Sequence, residues 1–203
     1  MFEALRDNWL RIAAVVAVCI GGWNWWSTRP VLPPPGIGVH ASPVQNALST
    51  PRRFEHEGHQ VEAVASFDVT ARVLGVARYS FDRAAAVSPL DLALGWGRMS
   101  DSAVLDRIEI SQSGRFYYWR TRDFPIPRRE IEASSANMHM IPASAPVRSQ
   151  LNGVRVGQIV RLQGYLVRVQ GRDGWRWASS LSREDTGNGA CEVIWVESVE
   201  IRG

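Results

Sequence analysis

Apolar and polar residues alternate over a stretch that begins near Val61, and this pattern predicts a half-buried strand. Every second position from Phe67 to Val73 is apolar, and the residues between them are Asp68, Thr70 and Arg72. After Gly75 the apolar positions resume on the other parity. A strand changes its apolar face in this way only at a bulge or bend, which glycine permits.

A second stretch, residues 157–170, has the same property. Val160 and Leu162 share one parity and Val167 and Val169 share the other, so the apolar face changes sides between Gly164 and Leu166. Strands bent in mid-course close a sheet into a small barrel. We therefore predict a mainly β (α+β) fold, a small OB-like or related β-barrel with short helices.

The remaining chain supplies shorter elements. A hairpin with its turn at Ser113-Gly114 is predicted, and the last strand places Cys191, Val193 and Trp195 on one side. A brief helix is expected to begin at Ser88-Pro89. Residues 125–154 lack periodicity, apart from two helical turns around V-R-S-Q-L.

The N-terminal residues predict a membrane anchor. Residues 12–26 are almost wholly apolar and end in three tryptophans within four positions, as at a membrane interface. A cleaved signal peptide would need small residues before the cut, and tryptophans stand there instead. Two arginines before the run and one after it favour a cytoplasmic N-terminus, so we expect a single-pass protein of the bacterial inner membrane with a periplasmic domain.

These patterns divide the chain into four predicted parts. They are a cytoplasmic stub (1–11), a transmembrane anchor (12–28), a proline-rich linker (29–60) and an extracytoplasmic β-rich domain (61–203).

Composition excludes several classes of function. All 23 basic residues are arginine against 20 acidic residues, so no concentrated positive domain demands nucleic acid, and none is expected as a partner. Two cysteines fall short of a structural metal site. The H-E-G-H stretch, from His56 to His59, lacks the spacing and helical context of a metal motif. No metal and no cofactor are expected.

His139 is the only histidine within the predicted domain, and it is the first candidate for chemistry. A base oriented by Asp185 or Glu192 would suit a hydrolase, and Cys191 would be the nucleophile of a thiol variant. The alternative is that His139 is a packed structural residue. Cys191 shares parity with Val193 and Trp195, which indicates a thiol directed into the core.

Binding is the other interpretation, with contacts from two segments, Asn137–Met140 and Ser179–Asn188. Trp175, Arg176 and Trp177, with Arg161, Tyr165 and Arg168, are the residue types of a stacking surface for nucleic acid or polysaccharide, but buried tryptophans need no ligand. The binding candidates are Asn137, His139, Trp175, Trp177, Arg183 and Asp185.

Three segments carry a resemblance: S-A-N-M-H-M-I-P-A (135–143), V-G-Q-I-V-R-L-Q-G-Y-L-V (156–167) and W-A-S-S-L-S-R-E-D-T-G-N-G-A-C-E-V-I-W-V (177–196). Together they resemble an uncharacterised family of bacterial membrane-anchored proteins with an OB-like β-domain. The resemblance implies no activity that can be assigned to particular residues. We expect a non-catalytic binding or assembly module with an envelope protein as partner, and a membrane-tethered hydrolase is the alternative.

Overall fold

The computed structural model describes residues 9, 12–22, 29–182 and 191–202, and the chain falls into two compact units, Met1–Pro30 and Val31–Gly203. In the first unit, residue 9 and residues 12–22 (α1) are helical. Within the described residues, no helix has both the length and the apolar character that a membrane crossing requires.

The second unit is mainly β, as predicted, with short helices between the strands. Its strands are β1 (Val44–His56), β2 (His59–Arg78), β3 (Leu90–Gly95), β4 (Glu109–Ser113), β5 (Phe116–Arg120), β6 (Ser135–Pro142), β7 (Ile159–Gln170), β8 (Arg176–Ala178) and β9 (Glu192–Arg202). Its helices are a 3-10 turn (Gly97–Ser100), α2 (Ser102–Leu105), α3 (Arg128–Ala133) and α4 (Ala145–Asn152).

Seven strands form one sheet in the order β1-β2-β3-β6-β9-β7-β8, and β2 also pairs with β7. The pairing therefore returns to its starting point through β2, β3, β6, β9 and β7, while β1 and β8 extend it at β2 and β7. The β6–β9 pair is parallel, and every other pair is antiparallel. Strands β4 and β5 form a separate two-stranded hairpin.

The predicted irregularity of β2 is confirmed, whereas the bulge predicted in β7 lies in the neighbouring strand β9, where Glu197 is the extra residue. The β2–β3 register shifts between Val73 and Gly75, and the β7–β9 register shifts between Gln163 and Gly164. Gly164 is needed there because an added Cβ would lie 1.9 Å from the carbonyl oxygen of Trp195. In β7, Leu166 packs in one hydrophobic cluster and the next residue, Val167, packs in another, because successive side chains of a strand point to opposite faces.

Three hydrophobic clusters hold the unit together. The largest is built from the five mutually paired strands and from Val147 and Leu151 of α4. A second cluster lies where β1 and β8 join the sheet and includes Trp195. The third lies beneath the β4–β5 hairpin, where Tyr117 and Trp119 pack on buried aliphatic residues. The hairpin is therefore attached to the sheet through an apolar contact of its own.

The predicted linker is wrong in its second half, which is largely β-strand. Val44–His56 forms β1, which pairs with β2, and β2 begins at His59. The preceding segment is also fixed, since the Val31 N–H donates to the carbonyl of Val156 at 2.8 Å and Val39 is buried. Most β1 side chains are exposed, so the strand carries no hydrophobic period that sequence reasoning could detect.

The helix expected at Ser88-Pro89 is also wrong. Leu90–Gly95 is a strand, β3, in which every residue is buried. A strand buried on both faces has no alternation, and its apolar run resembles that of a short buried helix. The hairpin turn after Ser113 and the helical turns around V-R-S-Q-L, in contrast, are present as predicted.

Candidate functional site

A buried polar cluster lies on one face of the sheet, between β3, β6 and the hairpin tip. Oδ1 of Asp91 in β3 is 2.9 Å from Nη1 of Arg115 and 2.9 Å from Nδ1 of His139. The Asp91 side chain is 0% exposed and that of His139 is 4% exposed. Nδ1 of His139 has no hydrogen bond of suitable geometry among the described residues, so it contacts Asp91 out of line.

Backbone geometry at the hairpin tip places Arg115 over this cluster. Gly114 and Arg115 have φ values of 58° and 72°, as both loop positions of a two-residue type I′ turn require. An arginine in this left-handed conformation is unusual, since side chains other than glycine disfavour it. Two hydrogen bonds at the turn accompany it, because its N–H donates to the Tyr79 hydroxyl at 3.3 Å and its carbonyl accepts from Asn137 Nδ2 at 3.0 Å.

The Arg115 guanidinium is shared between two carboxylates and a carbonyl. It donates to both oxygens of Asp82, at 3.0 and 2.8 Å, and to the Ser88 carbonyl at 2.9 Å. Its carbon lies 3.8 Å from the centre of the Tyr79 ring. Burial raises the pKa of Tyr79, and the neighbouring Asp91 carboxylate acts in the same direction. Burial alone would raise the pKa of Asp82, but the hydrogen bonds and charge of Arg115 outweigh it, so the pKa is lowered.

Asn137 connects the hairpin to the same face of the sheet. Its Oδ1 accepts from Nε2 of Gln112 at 2.8 Å, and its Nδ2 lies 3.4 Å from Oδ2 of Asp91. Asn137 is buried, and β6 holds it in register with Ala93 of β3. The hairpin is thus joined to the sheet by directed polar contacts as well as by its apolar base.

His139 is enclosed from the other side by tryptophan. Its ring centre is 4.6 Å from that of Trp177 in β8, and Trp177 lies 5.8 Å from Trp175. An Asp–His pair of this kind can orient a general base when substrate can reach the ring. Here both side chains are buried, so the cluster acts as a structural connection and offers no accessible base.

A cavity of about 520 Å³ lies beside the cluster, along β5. This volume is within the range of small-ligand pockets. Six of its seventeen lining residues are aromatic, and two of these, Tyr118 and Phe124, are 52% and 53% exposed. It is lined by Trp96, Phe116, Tyr117, Tyr118, Trp119, Arg120, Thr121, Phe124, Arg128, Glu132, Ala133, Ser135, Ala136, Asn137, Ser182, Cys191 and Glu192.

Tyr117 connects the aromatic wall to the start of β6. Its hydroxyl is 2.8 Å from Oγ of Ser135, and Ser135 donates to the carbonyl of Ile131 at 2.6 Å. Burial raises the pKa of Tyr117 to about 12, although the hydrogen bond to Ser135 acts in the opposite direction. The phenol therefore stays neutral over the physiological range and acts as a fixed hydrogen-bonding group.

The structure brings together only some of the predicted site residues. Asn137, His139 and Trp177 meet in the buried cluster, with Trp175 next to Trp177. Asn137–Met140 is therefore a buried strand segment, and its prediction as an exposed contact surface is wrong. Arg183 and Asp185 lie outside the described residues.

The strand register separates the remaining two catalytic candidates, Glu192 and Cys191, from the His139 ring. His139 pairs with Val193, whereas Glu192 pairs with Met138, so the Glu192 side chain lies on the opposite sheet face from His139. Glu192 is buried at the wall of the cavity. Cys191 lines the same cavity and is half-buried, and it belongs to none of the three hydrophobic clusters.

Sequence reasoning missed the two residues that organise the site, Asp91 and Arg115. The helix expected at Ser88-Pro89 would put Asp91 in its first turn, and the hairpin turn expected at Ser113-Gly114 gives Arg115 no role. One signal was available, the run Phe116–Trp119, because a strand with aromatic residues on both parities cannot direct all of them into one core. Among the described residues, no three histidine, cysteine or acidic side chains converge as metal ligands.

A comparison of the chain with protein-family profiles, curated proteins and solved structures finds no match.

Proposed function

We propose that the protein is a non-catalytic binding or assembly module of the bacterial cell envelope, anchored in the inner membrane by residues 12–28, with its β-rich unit in the periplasm. The aromatic cavity beside β5 is the proposed contact site. The observation that carries the proposal is the pair of half-exposed aromatic side chains, Tyr118 and Phe124, at a cavity that also holds buried polar groups.

We further propose that the five mutually paired strands form an OB-like barrel. The order β2-β3-β6-β9-β7, the parallel β6–β9 pair and the position of α4 between β6 and β7 support this assignment. In OB folds the second and third strands, which would be β3 and β6, form the face that binds oligonucleotides or oligosaccharides. Here Arg115 and Gln112 of the hairpin contact that face, which favours a binding site at the hairpin margin.

Burial of the Asp91–His139 pair also weighs against the hydrolase alternative. A general base must come within about 3.2 Å of the proton that it abstracts, and the His139 ring lies behind Trp177. Burial of the cluster supports a structural role instead, in which the cluster holds the hairpin in position for binding.

Site-specific photocrosslinking in intact cells tests the proposal. A benzoylphenylalanine at Tyr118 should yield a discrete crosslinked product, whereas one at the fully exposed Phe81, in the loop between β2 and β3, should not. Deleting residues 1–28 should release the protein from the membrane fraction and remove the crosslink. Equal products at the two positions would reject the cavity as the site, and membrane retention after the deletion would reject the anchor.

A further inference from the structure

Strand β5 borders the cavity along its edge rather than with one of its faces. Six consecutive residues, from Phe116 to Thr121, line the cavity. Since successive side chains of a strand point to opposite faces, consecutive residues line the same space only where the backbone edge faces it. Strand β5 pairs with β4 on its other edge, and the two strands form a sheet of their own.

The register of the hairpin identifies the backbone groups on that edge. Ser113 and Phe116 flank the two-residue loop, so they exchange hydrogen bonds across the hairpin, and the pairs then alternate along the ladder. Tyr117 and Trp119 occupy the intervening positions, with N–H and C=O groups directed away from β4. In the described part of the chain these outward groups have no hydrogen-bond partner.

We propose that β5 binds an extended segment of a partner polypeptide as an additional strand, with its side chains in the aromatic cavity. This inference rests on the proposed function and specifies its ligand class. The outward groups of Tyr117 and Trp119 are spaced by two residues, roughly 7 Å, which matches the repeat of an antiparallel partner strand. A row of unpaired edge groups is a template for pairing with another chain.

The walls of the cavity define the chemistry of the partner segment. Half-exposed Tyr118 and Phe124 provide an apolar contact for a large aliphatic or aromatic side chain. Arg120 is exposed at the cavity and forms no ion pair in the described part of the chain, whereas Arg128 is paired with Glu132. The segment should therefore carry an acidic residue opposite Arg120 in addition to its apolar residue.

Side-chain contacts also hold the edge of β5 in position before a partner binds. Arg115 at the tip and Gln112 in β4 attach the hairpin to β3 and β6, and Tyr117 of β5 contacts Ser135 of β6. A strand held in its final conformation loses little conformational entropy when it binds, which favours affinity. The buried cluster thus holds the binding edge in position.

The first test selects peptides from a random dodecapeptide display library on the full-length protein in detergent micelles. Each amide of an enriched peptide is then replaced in turn by its N-methyl form. Strand addition predicts that N-methylation weakens binding about tenfold at every second position and by less than about twofold at the positions between, because only alternate amides face β5.

The second test changes the protein edge with a matched pair of variants. Trp119→Ala and Trp119→Pro both remove the indole, but only proline also removes the outward N–H. The proline variant should bind the selected peptide about tenfold more weakly than the alanine variant. Equal melting temperatures of the two variants establish that the hairpin is intact in both. If the melting temperatures differ, the N-methyl series tests strand addition.

Three results would overturn the proposal. They are the absence of any enriched peptide, an N-methyl series without a two-residue period, and a concentration-dependent dimer that Trp119→Pro abolishes and Trp119→Ala retains. The dimer would assign the edge to a second copy of this chain. If the Tyr118 crosslink persists while the N-methyl series shows no two-residue period, strand addition is rejected and the proposed function survives. If the crosslink and the period are both absent, strand addition and the proposed function are both rejected.

Discussion

Arg115 and Asp91, separated by 24 residues in sequence, meet at 2.9 Å with the carboxylate wholly buried. Breaking such a pair leaves an uncompensated charge in a medium that solvates it poorly, which costs about 3–5 kcal/mol. We therefore expect Arg115→Met to lower the free energy of unfolding by that amount, as measured by urea denaturation. Arg120→Met, on the exposed end of the same hairpin, should change it by less than about 0.5 kcal/mol.

Similar losses in the two arginine variants would mean that the buried contact does not fix the hairpin.

The next prediction concerns His139, whose ring packs on Trp177 and touches Asp91. His139→Ala should lower the free energy of unfolding by about 2–4 kcal/mol, because it removes a buried ring and one neighbour of a buried carboxylate. The exposed His40 provides the control, since His40→Ala should leave the melting temperature unchanged. An unchanged melting temperature for His139→Ala, together with loss of the biological effect, would favour the hydrolase.

Stability should also fall in alkali through Tyr117. Burial raises its folded-state pKa to about 12, above the ordinary value of 10.0, so between these pH values the unfolded chain loses a proton that the folded chain keeps. The contribution of Tyr117 to the free energy of unfolding should therefore be fully present below pH 10. It should decrease by about 2–3 kcal/mol as the pH rises from there through the raised pKa. All 23 basic residues are arginine, so no lysine titrates in the same range.

The comparison is between the parent protein and Tyr117→Phe, in urea melts from pH 8 to 11. Phenylalanine should reduce the alkaline slope, although it also removes the hydrogen bond to Ser135. Tyr118→Phe, at a half-exposed position, should retain the parent slope. Identical slopes in all three proteins would show that Tyr117 titrates normally.

Gly164 provides a steric prediction. Alanine would place Cβ 1.9 Å from the Trp195 carbonyl oxygen, so β7 and β9 would have to separate at the register shift. We expect a loss of about 3 kcal/mol in the free energy of unfolding. Gly153→Ala serves as control, because its nearest contact would be 3.3 Å away and its backbone conformation is helical, which predicts a change below about 1 kcal/mol. A tolerated Gly164→Ala would place the register shift elsewhere.

Strands β2 and β7 could be predicted because buried and less buried positions alternate over much of each strand. In β2 the alternation from Val61 to Val73 reports directly on burial, and the irregularity next to Gly75 appears as a change of parity. Strand β3 could not be recognised because both of its faces are covered, and β1 because most of its side chains are exposed. Periodicity thus detects a strand only when its two faces differ.

The candidate site was harder to predict, because its members are contributed by elements that are distant in sequence. Asn137, His139 and Trp177 were identified as chemically notable, but nothing in the sequence pairs His139 with Asp91 across two neighbouring strands. Arg115 reaches the cluster only because a type I′ turn reverses the chain at that residue. Long-range strand register therefore determines the site, and local patterns do not encode it.

Strand β9 lies between β6 and β7, yet it follows every other strand in chain order. A nascent chain that still lacks β9 therefore has unsatisfied pairing edges on both of those strands, which remain open to incorrect partners. Assembly must wait for the whole unit to emerge, and pairing of β2 with β7 across roughly a hundred residues slows it further. The unit should depend on holding chaperones during synthesis and should tolerate C-terminal truncation into β9 poorly.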